Sequence, residues 1–126
     1  MKENEFIEID FILGLLKPNA KKIFNEIILA KKNKMWATII VFSLTILDNI
    51  YNDEDYLEVV DSLDINKNKI SKDIVWLRKK RNQILHYDTL GEKNSSNILI
   101  DHDLKINSEK AYNILIKNLI KLFPKQ

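Results

Sequence analysis

No cysteine occurs in the 126 residues, which excludes a disulfide framework and any thiolate metal site. Two glycines and two prolines are too few for a turn-rich β fold. Histidine is equally scarce. His86 and His102 are the only two, so groups able to exchange a proton near neutral pH are few. Long apolar runs are missing too. The stretch from Met35 to Leu47 is strongly apolar but covers only 13 residues, short of the roughly 20 needed to span a bilayer. Glu3, Glu5, Glu8 and Asp10 interrupt the apolar residues at the N-terminus, so no signal peptide is expected. These absences predict a soluble, cytoplasmic protein with no membrane partner.

What is present is a large apolar fraction, 45%, and charge arranged in blocks around a net charge of +2. The length and apolar content suit a single domain over residues 1–126 with one core. Residues 1–16 sum to −3 and residues 17–34 to +5. Residues 48–64 carry seven acids and no Lys or Arg, whereas residues 67–81 carry seven bases and one acid. A cationic approach of this kind suits a phosphate backbone. Acidic and basic blocks also pair with each other within or between subunits, and the two explanations stand side by side.

Periodicity predicts an all-α bundle of five to six helices. Phe6, Ile9, Leu13 and Leu16 recur at helical spacing, and Pro18 is expected to stop that helix. Asn19 is the expected cap of a second helix with Ala20, Ile23, Phe24, Ile27 and Ile28 on its apolar face. Lys31 to Lys34 close it. Trp36 to Tyr51 reads as a helix apolar nearly all round, which places it at the centre. Tyr56 to Leu63 reads as a short amphipathic helix and Asp64 to Lys69 as a polar connection. A long helix is expected from Asn68 or Ser71, through Ile74, Leu77, Ile84 and Leu85. Gly, Asn and Ser mark Asp88 to Ser96 as a loop. From Ile98 to Ile106 apolar and polar residues alternate, which predicts a small β-hairpin turning at Asp101-His102-Asp103. Asn107 or Ser108 is the expected cap of a last helix whose stripe is Tyr112, Leu115, Ile116, Leu119, Leu122 and Phe123.

The chemistry concentrates in Arg81-Asn82-Gln83-Ile84-Leu85-His86-Tyr87-Asp88. Arg81 is a permanent cation whose planar fork matches phosphate oxygens. His86 is suited to take the proton from a ribose 2′-hydroxyl or return one to a leaving oxygen. Together they are the minimum kit for cutting RNA without a metal. Arg78, Lys79 and Lys80 are candidate phosphate guides, Asn82 a positioning group, and Tyr87 a candidate substrate contact. A structural explanation stands beside this one. Cations and a histidine late in a helix are favoured by its dipole, Tyr87 suits core packing, and Asp88 suits a cap or turn. Trp36 and Trp76 read as core rather than as stacking platforms. His102 between two aspartates offers too sparse a ligand set for a metal site, so no metal and no cofactor is expected. On a straight helix Arg81 and His86 lie roughly 140° apart, so either the helix ends or bends near Tyr87, or the long Arg81 reaches round, or a second copy of the chain completes the site.

Arg81-Asn82-x3-His86 resembles the R-(polar)-x3-H signature of the HEPN superfamily, small all-helical domains that include toxin RNases, abortive-infection proteins and nuclease domains of RNA-targeting CRISPR effectors. Trp76 and Leu77 before the motif and Ile84-Leu85 inside it agree with that likeness. A looser likeness in helix layout runs from about Asn19 to Phe123. Tyr87 follows His86 directly, one position earlier than the tyrosine of the toxin branch. The resemblance implies a metal-independent endoribonuclease with RNA as substrate. It assigns His86 as acid/base, Arg81 as transition-state cation and Asn82 as positioning group. It further implies a homodimer with a composite active site, and a protein antitoxin or defence partner. The superfamily also includes non-catalytic modules that bind a nucleotide or a protein, and that alternative stays open here.

Overall fold

The structure is a computed structural model that describes residues 3–58, 60–86 and 101–123. The described residues form a helical bundle without a strand: α1 (Glu3–Leu15), α2 (Pro18–Lys32), α3 (Trp36–Asn52), a 3-10 turn (Glu54–Glu58), α4 (Ser62–Lys69), α5 (Lys72–Leu85) and α6 (Asp101–Leu122). No helix among these residues is long and apolar enough to cross a membrane.

α3 is the central element, as its apolar sequence predicts. Ile39, Ile40, Leu44, Ile46, Leu47 and Ile50 are each at most 1% exposed. Its sides pack against α2, α5 and, most extensively, α6. α6 supplies the stripe read from sequence: Tyr112, Leu115, Ile116, Leu119, Leu122 and Phe123 are all buried. α1 closes over α6 with Ile9, Ile12 and Leu16.

Pro18 does not only end α1; it is the first residue of α2, with Lys17 in the capping position and extended, and Asn19 exposed in the first turn rather than capping. A helix start leaves its first N–H groups without intrahelical acceptors, so proline gives up nothing there. α2 ends in a Schellman turn. The Met35 N–H donates to the Ala30 carbonyl at 2.9 Å, and Lys34 sits in the left-handed region at φ 57°.

The acidic block folds differently from its sequence reading. Only a 3-10 turn covers Glu54–Glu58, and α4 occupies the segment expected to be a connection. Leu57 and Leu63 are exposed, whereas Tyr56, Val60 and Ile65 are buried. The Asp61 carboxylate accepts from the Leu63 N–H at 2.8 Å and nucleates α4. Buried Asn68 donates to the Asp64 carbonyl at 2.7 Å.

The expected hairpin is corrected in the same way. Residues 101–106 are the first turns of α6, and Ile98 to Ile100 lie outside the described residues. The alternation over Leu104 to Ile106 is too short to fix a period: Leu104 packs on the core while Ile106 is half exposed. Asn107 and Ser108 are therefore interior to α6, and the Ser108 hydroxyl donates to the Lys105 carbonyl at 2.7 Å. The loop expected at Asp88 to Ser96 falls outside the described residues.

Candidate functional site

α5 carries the motif. Ser71 caps it, its hydroxyl accepting from the Ile74 N–H at 3.3 Å. Ile74 and Leu77 anchor it against the core with no exposure at all. Because one face is pinned by these two residues, the positions of every other side chain on α5 follow from the helical rotation. Val75, Lys79, Asn82 and His86 share the solvent face and are all exposed. Arg78 and Arg81 lie on a flank that meets α3.

There the only charged residue of α3, Asp48, receives both arginines. Arg78 is bidentate: Nη2 donates to Oδ1 at 2.7 Å and Nη1 to Oδ2 at 3.3 Å. Arg81 donates through Nη1 to Oδ2 at 3.3 Å. Its Nε and Nη2 also donate to Oδ1 of Asn82, at 3.3 and 3.1 Å. The three side chains are between 23% and 35% exposed, so the cluster is partly desolvated and its geometry counts for more than that of a surface pair.

His86 is the C-terminal cap residue of α5. Its N–H still donates to the Asn82 carbonyl at 2.9 Å, and its side chain is exposed. The fold thus joins Arg81 to Asn82 directly and sends His86 to a different side of the helix, as the rotation anticipates. Lys79 is exposed and Lys80 half-buried beside Trp76. Trp76 and Trp36 both pack partly on the core. Tyr87 and Asp88 lie outside the described residues.

Asp48 is the site residue that motif reasoning passes over. Its signal is nevertheless in the sequence: one carboxylate on a helix otherwise without charge requires a partner. Tyr51, one turn further along α3, is also part of this neighbourhood. Burial pushes its phenol well above the usual tyrosine range, with the Arg78 charge opposing, and its hydroxyl has no hydrogen-bond partner among the described residues.

Two clefts lie away from the motif. One of about 370 Å³, between α2, α3 and α6, is lined by Lys31, Trp36, Ile39, Ser108, Glu109, Tyr112 and Asn113. Lys31 stands 3.7 Å over the Tyr112 ring, and burial holds its ammonium below the ordinary lysine range. The other, of about 320 Å³, runs beside Tyr51, Leu57, Ile65 and Lys69. Neither is lined by Arg81 or His86. Among the described residues no three His, Asp or Glu side chains are grouped to hold a metal ion. No family model, no curated protein and no solved structure matches this chain.

Proposed function

We propose that the chain is a metal-independent endoribonuclease that uses Arg81 and His86 on RNA. The observation that carries this reading is the end of α5, where an oriented guanidinium and an exposed imidazole flank Asn82 in the HEPN-like order. His86 accepts the proton of the ribose 2′-hydroxyl. The 2′-oxygen attacks the adjacent phosphorus, the bond to the 5′-oxygen breaks, and that oxygen leaves with a proton from an imidazolium. The products are a 2′,3′-cyclic phosphate and a 5′-hydroxyl. Arg81 stabilises the charge on the phosphoryl oxygens, and Asn82 and Asp48 hold its fork in place beforehand.

One copy directs Arg81 and His86 to different sides of α5, so a homodimer completes the centre. A two-fold axis beside the exposed face of α5 brings a second His86 and Arg81 to the same phosphate. Val75 and Leu85, 56% and 57% exposed, supply apolar area for such a contact. Lys79 and Lys80 guide the backbone. The proposed setting is a cytoplasmic toxin or antiviral-defence system restrained by a protein partner.

One observation favours a second reading, a non-catalytic helical module that binds a nucleotide or protein. Asp48 already neutralises much of the charge on Arg78 and Arg81. Incubation of the purified chain with total RNA in excess EDTA separates the two. Cleavage in EDTA that disappears in His86→Ala, with the melting temperature unchanged, supports the nuclease. A His86→Ala protein that cuts as well as wild type overturns it, and a chain inert with and without Mg²⁺ or Mn²⁺ favours the binding module.

A further inference from the structure

On the flank of α5 opposite Asp48, two helices bring cations to one aromatic ring. Trp76 of α5 is half-buried, with its inner part on the core. Lys110 of α6 places its ammonium 4.1 Å from the indole centroid, and Lys80 places a second at 5.8 Å. Lys79 adjoins on the exposed face, and Asp103 is the acid that acts on Lys80 from α6. None of the three lysines forms a salt bridge with a described residue. Burial first, then the charges of Lys79 and Lys110, hold the Lys80 ammonium below the ordinary lysine range, and Asp103 opposes them only in part. Like charges converging on one ring leave a place for an anion that also has an aromatic face.

We infer that Trp76, Lys80 and Lys110 form a subsite for single-stranded nucleic acid, in which a base stacks on the indole and its phosphate sits between the two ammonium groups. The lysine now over the ring leaves it for the phosphate, exchanging a cation–π contact for a charge-assisted hydrogen bond while the base takes its place. Stacking on an aromatic ring tolerates any base, so this subsite fixes the strand without reading sequence. A folded protein surface fits less well, because an acidic peptide would use the lysines and leave the ring idle. Position agrees. At about 1.5 Å per residue, Trp76 stands roughly 15 Å along α5 from His86. Lys79 and Asn82 lie between them on the exposed side. A strand anchored at Trp76 therefore runs over the cationic turn toward the imidazole. That the strand is RNA rests on the proposed ribonuclease function; the binding geometry stands apart from it.

The test is fluorescence anisotropy with a labelled 2′-O-methyl oligouridine, which binds without being cut. Trp76→Leu is expected to weaken binding roughly fivefold to a hundredfold, and Trp76→Phe to retain most of it. Lys110→Gln, at an exposed position that leaves the fold intact, should weaken binding and reduce the logarithmic salt slope by about one. Wild-type affinity and salt slope in both Trp76→Leu and Lys110→Gln would overturn the subsite. So would polyglutamate binding that matches the oligonucleotide and depends on Lys110 but not on Trp76, which assigns the surface to an acidic protein. Cleavage of ordinary RNA is scored in parallel. A chain that binds through Trp76 but never cuts leaves the subsite standing and removes the nuclease. A chain that cuts through His86 while the Trp76 and Lys110 variants bind normally does the reverse.

Discussion

Replacing Asp48 by asparagine removes one charge and leaves the shape nearly unchanged, so it isolates what the carboxylate does for two arginines. Three guanidinium nitrogens lie within 3.3 Å of it, one of them at 2.7 Å. Coulomb attraction at close range and intermediate screening is about 4 kcal/mol per pair, before desolvation and side-chain ordering offset most of it. Exposed pairs net about 0–1 kcal/mol, and loss of one partner from a fully buried pair costs about 3–5 kcal/mol. With a quarter to a third of each side chain exposed, Asp48→Asn falls between, at about 2 kcal/mol. For a chain of this size that lowers the melting temperature by roughly 8 °C. Thermal and guanidinium unfolding followed by circular dichroism measure it. Double-mutant cycles then divide the effect. Coupling of Asp48 to Arg78, the bidentate partner, should exceed its coupling to Arg81, which donates one long bond. A variant that melts within about 1 °C of wild type, or stronger coupling to Arg81, would show that the carboxylate does not hold the two arginines in this way. The same geometry makes Arg81→Ala destabilising by a few tenths to about 1 kcal/mol, so Arg81→Lys is the cleaner probe of activity.

Lys34→Gly should stabilise the chain by about 1 kcal/mol in chemical unfolding, because glycine adopts the left-handed conformation at φ 57° without a Cβ penalty. Asp61→Ala should cost about 1 kcal/mol by removing the carboxylate that accepts the Leu63 N–H, and helix content should fall with it. Tyr51 and Tyr112 have phenol pKa values raised by burial. Folding therefore draws full stability from the neutral phenols below their unfolded value of about 10 and loses it as pH rises above that. Melting temperature should decline from pH 9.5 to 11, and Tyr51→Phe should flatten that decline while costing nothing at pH 7, since the buried hydroxyl has no described partner.

The helical class, the central position of α3 and the α6 stripe are legible because their apolar periods run long enough to beat local noise. The start of α5 is legible only as a choice between Asn68 and Ser71, and the Ser71 hydroxyl that accepts the Ile74 N–H decides it. The acidic segment misleads because Leu57 and Leu63 look like core yet are exposed, and because α4 owes its start to one side-chain cap rather than to a hydrophobic stripe. The hairpin fails on length: a few alternating residues fit a period of 2 and of 3.6 equally well until α6 decides. At the site, sequence identifies the motif and its angular problem but not the solution on the inner flank. Asp48 lies 33 positions before Arg81, and only packing of α5 on α3 brings them together. The Trp76 cluster is hidden for a similar reason, since Lys110 comes from a different helix.

In the proposed reaction His86 and Arg81 cut RNA by transferring the phosphoryl group to the 2′-oxygen. The most direct measurement uses a labelled oligoribonucleotide in EDTA, with a matched copy carrying 2′-deoxyribose at the cleaved position, and reads the product ends by mass. The expected products are a 2′,3′-cyclic phosphate from the all-ribose strand, no cut at the deoxy position, and nothing from His86→Ala. Cleavage of the deoxy position, or product ends bearing a 3′-hydroxyl and 5′-phosphate, would contradict it.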